Sequence, residues 1–183
     1  MALNMTENMF RFLQEWADAG APVVRKHRLP VSAMLACASV ESAWGTGAIY
    51  RETLNPFSLQ KWPHVPHPAT CRTAWRDTVI QTTPDVVTRK APFSCATDRA
   101  DAVRQWCEWI LYYGEADGPP GNQDPKSKTS RIASAVGNRE TLLRFRNAGP
   151  DFARRLPLVG FGESRTSLVY AKRLTDFSME SYD

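Results

Sequence analysis

One stretch limits what this chain can be. From Pro30 to Gly47 it reads Pro-Val-Ser-Ala-Met-Leu-Ala-Cys-Ala-Ser-Val-Glu-Ser-Ala-Trp-Gly-Thr-Gly. Proline suits the first turn of a helix and glycine its end, so the run predicts a helix from Pro30 that stops at Gly45 and Gly47. Its residues are almost all small or apolar, and a helix of that kind is stable only when buried. It carries one carboxylate, Glu41, in its closing turn. On a helix, Met34, Cys37, Ala38 and Glu41 share a face. A carboxyl group held against apolar surroundings has its neutral form favoured and its pKa raised. That is what a general acid working near neutral pH requires. The helix dipole disfavours a glutamate at this end, so the placement does not serve stability. The plain alternative is a surface glutamate at a helix end.

The chain has 183 residues, 43% of them hydrophobic. That is enough for one core and leaves little room for another, so residues 1–183 are expected to form a single domain. The net charge of +4 suits an anionic polymer without naming one. No block of Lys and Arg marks a nucleic-acid tail, and no apolar run is long enough to span a bilayer. The start, Met1-Ala2-Leu3-Asn4-Met5-Thr6-Glu7-Asn8, lacks the basic and apolar regions of a secretory signal peptide. Of the four cysteines, Cys37 and Cys107 read as buried helix residues. Cys71 and Cys95 bracket a strand-like segment, where a disulfide is an open option outside the cytoplasm.

Thr6 can cap a first helix bearing Phe10, Leu13, Trp16 and Ala17 at helical spacing. Gly20-Ala21-Pro22 is expected to interrupt it. Asn55-Pro56-Phe57 reads as a turn. Residues 61–69, with three prolines and two histidines, read as an irregular loop. Cys71 to Phe93 is rich in Thr, Val, Ile and Trp around Pro84-Asp85, a hairpin signal. Thr97 or Asp98 caps a helix with Val103, Trp106, Cys107, Ile110 and Leu111 on one face. Gly114 to Ser127 is a polar loop. Further helices are expected at Arg131–Val136, Glu140–Asn147 and Asp151–Leu156. A last one begins at Ser164 or Thr166, with Leu168, Val169, Ala171, Leu174 and Phe177 on its apolar side. The pattern is that of a mostly helical α+β domain with a small β-hairpin lobe.

Val40-Glu41-Ser42-Ala43-Trp44-Gly45-Thr46-Gly47, followed by Asn55-Pro56-Phe57-Ser58-Leu59, resembles the signature of bacterial peptidoglycan N-acetylglucosaminidases of the flagellar and autolysin type. The likeness continues through Ala91-Pro92-Phe93-Ser94-Cys95-Ala96-Thr97, then Phe152-Ala153 with Leu156, Tyr170-Ala171-Lys172-Arg173-Leu174 and Tyr182-Asp183. It therefore spans nearly the whole chain, in order. The resemblance implies a lysozyme-like fold with a sugar-binding cleft between a helical body and the β-lobe. It implies cleavage of the β-1,4 bond after N-acetylglucosamine, with Glu41 as the acid that protonates the leaving oxygen. Trp44 would pack in or below the cleft, and Asn55 would brace the Glu41 helix end or touch sugar.

Three departures from that family pattern stand out. The family often places a second carboxylate on a β-lobe strand, and here Asp77 lies at a similar separation, with Asp85 and Glu52 as weaker candidates. Asp77 could equally pair with Arg76 or Arg72 on a solvated face. Carboxylate separation distinguishes inverting from retaining hydrolysis, and assistance by the substrate's own N-acetyl group would need Glu41 alone. Next, the family's Tyr-Ala-Thr-Asp-Pro turn is replaced by Gly160-Phe161-Gly162-Glu163-Ser164-Arg165. The hydroxyl that turn supplies has no clear equivalent, and Tyr170 is expected mainly to pack, beside a candidate place at the substrate. Last, His64, His67 and Cys71 are too irregularly spaced to predict zinc. Trp62, His64 and His67 are expected to rim the cleft, with Trp62 a candidate substrate contact.

No nucleophile elbow, Walker loop or dinucleotide fingerprint occurs, so no cofactor is expected. Cys37 sits mid-helix and Cys71 on a strand, which does not suit a papain-like amidase. The expected partner is the peptidoglycan glycan strand, with neither nucleic acid nor membrane. Without a signal peptide, the chain resembles type VI secreted glycoside hydrolase effectors, which act in the periplasm of a target bacterium. That resemblance implies a cognate immunity protein plugging the cleft. A phage endolysin, a muramidase of the same fold, and a sugar-binding module without activity are the alternatives.

Overall fold

The computed structural model describes residues 5–59, 74–81, 87–113, 138–159, 161 and 164–183. Seven helices and two strands are seen among them: α1 (Glu7–Lys26), α2 (Val31–Glu41), α3 (Ala48–Thr53), β1 (Ala74–Gln81), β2 (Val87–Phe93), α4 (Arg99–Glu108), α5 (138–143), α6 (Gly149–Arg155) and α7 (Ser164–Asp176). A π-helical turn, Trp109–Tyr113, extends α4, and 3-10 turns follow α6 and α7.

The Pro30 run forms a helix from Val31 as expected, but it ends at Glu41, four residues before Gly45, because the backbone turns left-handed from Ala43. Every residue of α2 from Val31 to Ser39 is buried. Helices α1, α6 and α7 and the last 3-10 turn pack around it. A helix that is apolar on all sides has no solvent face to offer, so the centre of the fold is the position open to it.

Helix α1 starts where expected, with the Thr6 hydroxyl accepting from the Met9 amide at 3.3 Å. It does not break at Gly20-Ala21-Pro22 but runs through Pro22 to Lys26. Pro22 is exposed, and the packing on the other side of α1 holds the helix together. Gly20 has a packing role instead of a breaking one. A Cβ there would lie 2.7 Å from Met34 Cε and 3.0 Å from Val103 Cγ2. Its missing side chain is what lets α1 approach α2 and α4 closely. The buried stripe holds Phe12, Leu13, Trp16, Ala17, Gly20, Ala21 and Val24, whereas Phe10 faces solvent.

Asp98 caps α4 by accepting from the Asp101 amide at 2.8 Å. Val103, Trp106, Cys107 and Ile110 are fully buried as their spacing predicts, with Leu111 partly covered. In α7 the inward face differs from expectation. Ser167, Tyr170, Ala171 and Leu174 point in, followed by Phe177, while Leu168 and Val169 are 59% and 41% exposed. The spacing 167, 170, 171, 174 is the proper helical stripe, and Leu168 and Val169 fall one step around from it.

Strands β1 and β2 pair antiparallel, Ala74 opposite Phe93 and Asp77 opposite Lys90, with an irregularity between Val79 and Gln81. Cys37, Cys95 and Cys107 are buried free thiols. The loop 61–69, Cys71, Asp85, the loop 114–127 and the helix expected at 131–136 lie outside the described residues.

Candidate active site

The site is built on the closing turn of α2. After Glu41 the backbone turns left-handed for three residues, with φ of 48° at Ala43, 59° at Trp44 and 80° at Gly45. Such angles cost about 1–2 kcal/mol for each non-glycine residue, so other contacts must hold the turn. They are plentiful. The Trp44 amide donates to the Ser39 carbonyl at 2.9 Å and the Gly47 amide to the Ser42 carbonyl at 2.8 Å. The Ser42 hydroxyl donates to the Ala38 carbonyl at 2.6 Å and accepts from the Gly45 amide at 2.9 Å. A Cβ on Gly47 would lie 3.0 Å from the Ser42 carbonyl oxygen, and one on Gly45 would lie 3.2 Å from Phe12 and Tyr50 carbons. Ser42, Gly45 and Gly47 are therefore what the backbone requires to stop the helix directly behind Glu41.

The Glu41 side chain is partly buried, and its Oε1 accepts a hydrogen bond from the Tyr170 hydroxyl. Burial raises the Glu41 pKa above the usual carboxylate range, and hydrogen bonds from Tyr170 and Ser58 oppose the rise in part. The Ser58 hydroxyl also lies 3.5 Å from the Glu41 carbonyl oxygen. Tyr170 is fully buried, and burial, then the neighbouring Cys37 and Glu41, push its own pKa far up. It therefore stays a neutral O–H donor. Cys37, one turn before Glu41, is also buried, and burial together with the Glu41 charge holds its thiol protonated.

Tyr170 thus does more than pack. It crosses from α7 to α2 and holds one oxygen of Glu41. Nothing in the Tyr-Ala-Lys-Arg-Leu run distinguishes that role from packing; only the meeting of two helices 129 positions apart in sequence reveals it.

Asn55 braces rather than presents. Its Nδ2 donates to the Leu59 and Ser94 carbonyls at 2.9 and 3.0 Å, and its Oδ1 accepts from the Phe57 and Leu59 amides at 3.1 and 3.2 Å. An asparagine amide has two donor and two acceptor positions, and all four are used. The residue is also buried. Of the two expected roles, a place at the substrate has no free amide position left, and the bracing falls on residues 55–59 and Ser94 instead of directly on the Glu41 helix end. With the Ala96 amide on the Thr53 carbonyl and the Ser94 amide on the Leu59 carbonyl, both at 2.8 Å, Asn55 ties residues 53–59 to the segment after β2. That tie carries Ser58 to Glu41.

Trp44 packs edge-on against Phe12 and Phe177, at ring-centroid distances of 5.9 and 5.2 Å, and the Arg173 guanidinium lies 5.2 Å from its ring. These contacts begin a run of touching rings that continues from Phe12 through Trp16, Phe57, Trp106 and Phe161 to Tyr170. The run starts and ends on the segment of α7 and its following turn, so Trp44 and Tyr170 belong to one aromatic layer. Arg173 has no counterpart among the residues that the sequence singles out, since a lone arginine on a helix carries no signal of its own.

Asp77 lies mid-strand in β1, opposite Lys90 in register. Glu52 is exposed on α3. Trp62, His64 and His67 lie outside the described residues. Among the described residues no three His, Cys, Asp or Glu side chains cluster to hold a metal, and no helix is long and apolar enough to cross a membrane.

The chain matches no protein-family profile and no curated protein by sequence. By structure it is similar to the catalytic domain of the autolysin Auto from Listeria monocytogenes, with a TM-score of 0.65 and 13% identity over 99% of this chain and 90% of that one. It is similar to a peptidoglycan hydrolase mutant from Sphingomonas sp. A1, with a TM-score of 0.61 and 14% identity over 94% of this chain and 96% of that one. A C-terminally truncated glycoside hydrolase domain of FlgJ from Salmonella typhimurium gives a TM-score of 0.54 and 18% identity over 93% and 94% of the two chains. At these identities the shared property is the fold, and the chain has the mostly helical fold of these domains.

Proposed function

We propose that the protein is a peptidoglycan glycoside hydrolase that cleaves the β-1,4 bond of the glycan strand, with Glu41 as general acid. The observation that carries this reading is the Glu41 carboxyl itself: half-buried, raised in pKa, and held through one oxygen by a neutral tyrosine. The likeness in fold to an autolysin domain, a peptidoglycan hydrolase and a glycoside hydrolase domain supports it.

In this reading Tyr170 occupies Oε1, so the transferable proton sits on Oε2. Protonation of the glycosidic oxygen lets its bond to the anomeric carbon break, and water completes the hydrolysis. Asp77 is the candidate carboxylate to activate that water or to act as nucleophile. The substrate's N-acetyl group is the alternative assistant. Trp44 and Trp62 are proposed to lie along a lysozyme-like cleft beside the paired strands, Trp44 mainly as packing beneath it.

We assign N-acetylglucosaminidase specificity, and mass analysis of digested peptidoglycan tests it. Wild-type protein should release fragments ending in reducing N-acetylglucosamine, and Glu41→Gln should lower the rate by about 100-fold or more. N-acetylmuramic acid at the reducing ends would make it a muramidase. A Glu41→Gln variant as fast as wild type would remove Glu41 from the mechanism. Binding by the wild type without cleavage would leave a sugar-binding module.

A further inference from the structure

A cavity of about 550 Å³ opens at the start of α2, the end opposite Glu41. Eleven residues separate the two ends, a helix length of about 16 Å. The volume lies within the range of about 300–1,000 Å³ usual for small-molecule sites. Its lining includes Arg25, Arg28, Arg146, Asn147, Pro30 and Asp183. Three arginines and one side-chain carboxylate thus line it.

That carboxylate is already occupied. Asp183 accepts from the Ser32 amide at 2.7 Å through Oδ1 and from the Ser32 hydroxyl at 2.6 Å through Oδ2. Arg25 also has a partner, donating to the Tyr182 carbonyl at 2.8 Å. Arg28 and Arg146 have none among the described residues, and both are exposed. They come from different elements. Arg28 follows α1 in a left-handed turn, with φ of 55°, and Arg146 lies in the turn after α5. Two arginines without a side-chain partner among the described residues line one cavity with Asn147, and the guanidinium fork is the side chain best suited to a carboxylate or phosphate.

We propose that this cavity is a second binding site, for a phosphate or carboxylate group carried on a larger ligand, held by Arg28 and Arg146. The site is separate from Glu41, and its existence does not depend on the chemistry assigned there. The cavity is larger than a free oxyanion needs, so the charged group is the anchor and the rest of the ligand fills the space beside Pro30.

Titration followed by amide NMR tests the proposal, with glycerol 3-phosphate in one arm and N-acetylalanine in the other at constant ionic strength. At least one should give saturable shifts confined to residues 25–31 and 146–147, and the arm that saturates identifies the group. The Arg28→Gln/Arg146→Gln variant should weaken that binding about tenfold or more. The single Arg146→Gln variant, at an exposed turn position, should weaken it less. Glu41→Gln should bind as wild type does, which separates this site from the proposed glycosidase site. Shifts that fail to saturate in both arms, or a double variant that binds as tightly as wild type, would overturn the proposal.

Discussion

Glu41 and Tyr170 form the pair on which the proposed chemistry turns. Burial favours the neutral acid and the tyrosine hydroxyl favours the carboxylate, and burial wins, so the pKa lies above the ordinary value. A general acid is active while protonated, so activity should fall as pH rises through that raised pKa. Tyr170→Phe removes the donor that favours the charged form. The pKa should then rise further, and the alkaline limb of the kcat/KM profile should move to higher pH. The rate at the optimum should also fall, by about 10- to 100-fold, because Oε1 is no longer held. A slower variant with an unmoved alkaline limb would reduce Tyr170 to packing. Glu41 was legible in sequence as an unhelpful charge at the end of an apolar helix. Its partner was not, because a tyrosine in an amphipathic helix looks the same whether its hydroxyl meets a carboxylate or water.

At the scale of elements, the site depends on two turns that seat Glu41. One is the left-handed turn behind α2, held by Ser42 and allowed by Gly45 and Gly47. The other is the segment 53–59, in which one buried asparagine satisfies four backbone groups. Asn55→Ala would leave two buried amides and two buried carbonyls without that partner. Each such group costs about 1–3 kcal/mol, and relaxation recovers part of the sum. A loss of about 3–5 kcal/mol in urea unfolding is expected, with activity lost through displacement of Ser58. A loss under 1 kcal/mol would show that Asn55 does not hold the loop. The Glu-Ser-Ala-Trp-Gly and Asn-Pro-Phe runs were visible as motifs. Their use was less so: what resembled a recognition residue in Asn55 is a backbone brace, because saturation of an amide depends on Ser94, 39 positions away.

The whole molecule is organised around α2, clamped at both ends by residues from the last part of the chain. Tyr170 meets its closing turn, and Asp183 meets its opening turn through Ser32. A carboxylate accepting from the first turn of a helix satisfies a donor with no partner inside the helix and complements the dipole. Asp183→Ala should therefore lower stability by about 1–2 kcal/mol, read as an earlier midpoint in thermal or urea unfolding. The rest of the far-UV spectrum should be retained. An unchanged midpoint would mean that the contact is incidental. By itself, the sequence determined that α2 exists, where it begins, that it is buried, and that it carries one carboxylate; its end at Glu41, ahead of Gly45 and Gly47, was not read from sequence. Those properties follow from local propensity and from the absence of polar residues along one short segment. It also determined the buried face of α4, where a single 3.6-residue period points one way. Tertiary structure alone decided that α1 passes through Pro22, that α7 turns Tyr170 inward and leaves Leu168 and Val169 outside, and that Asn55 braces. Each of those outcomes is set by which surface another part of the chain brings to it, and no local pattern records that.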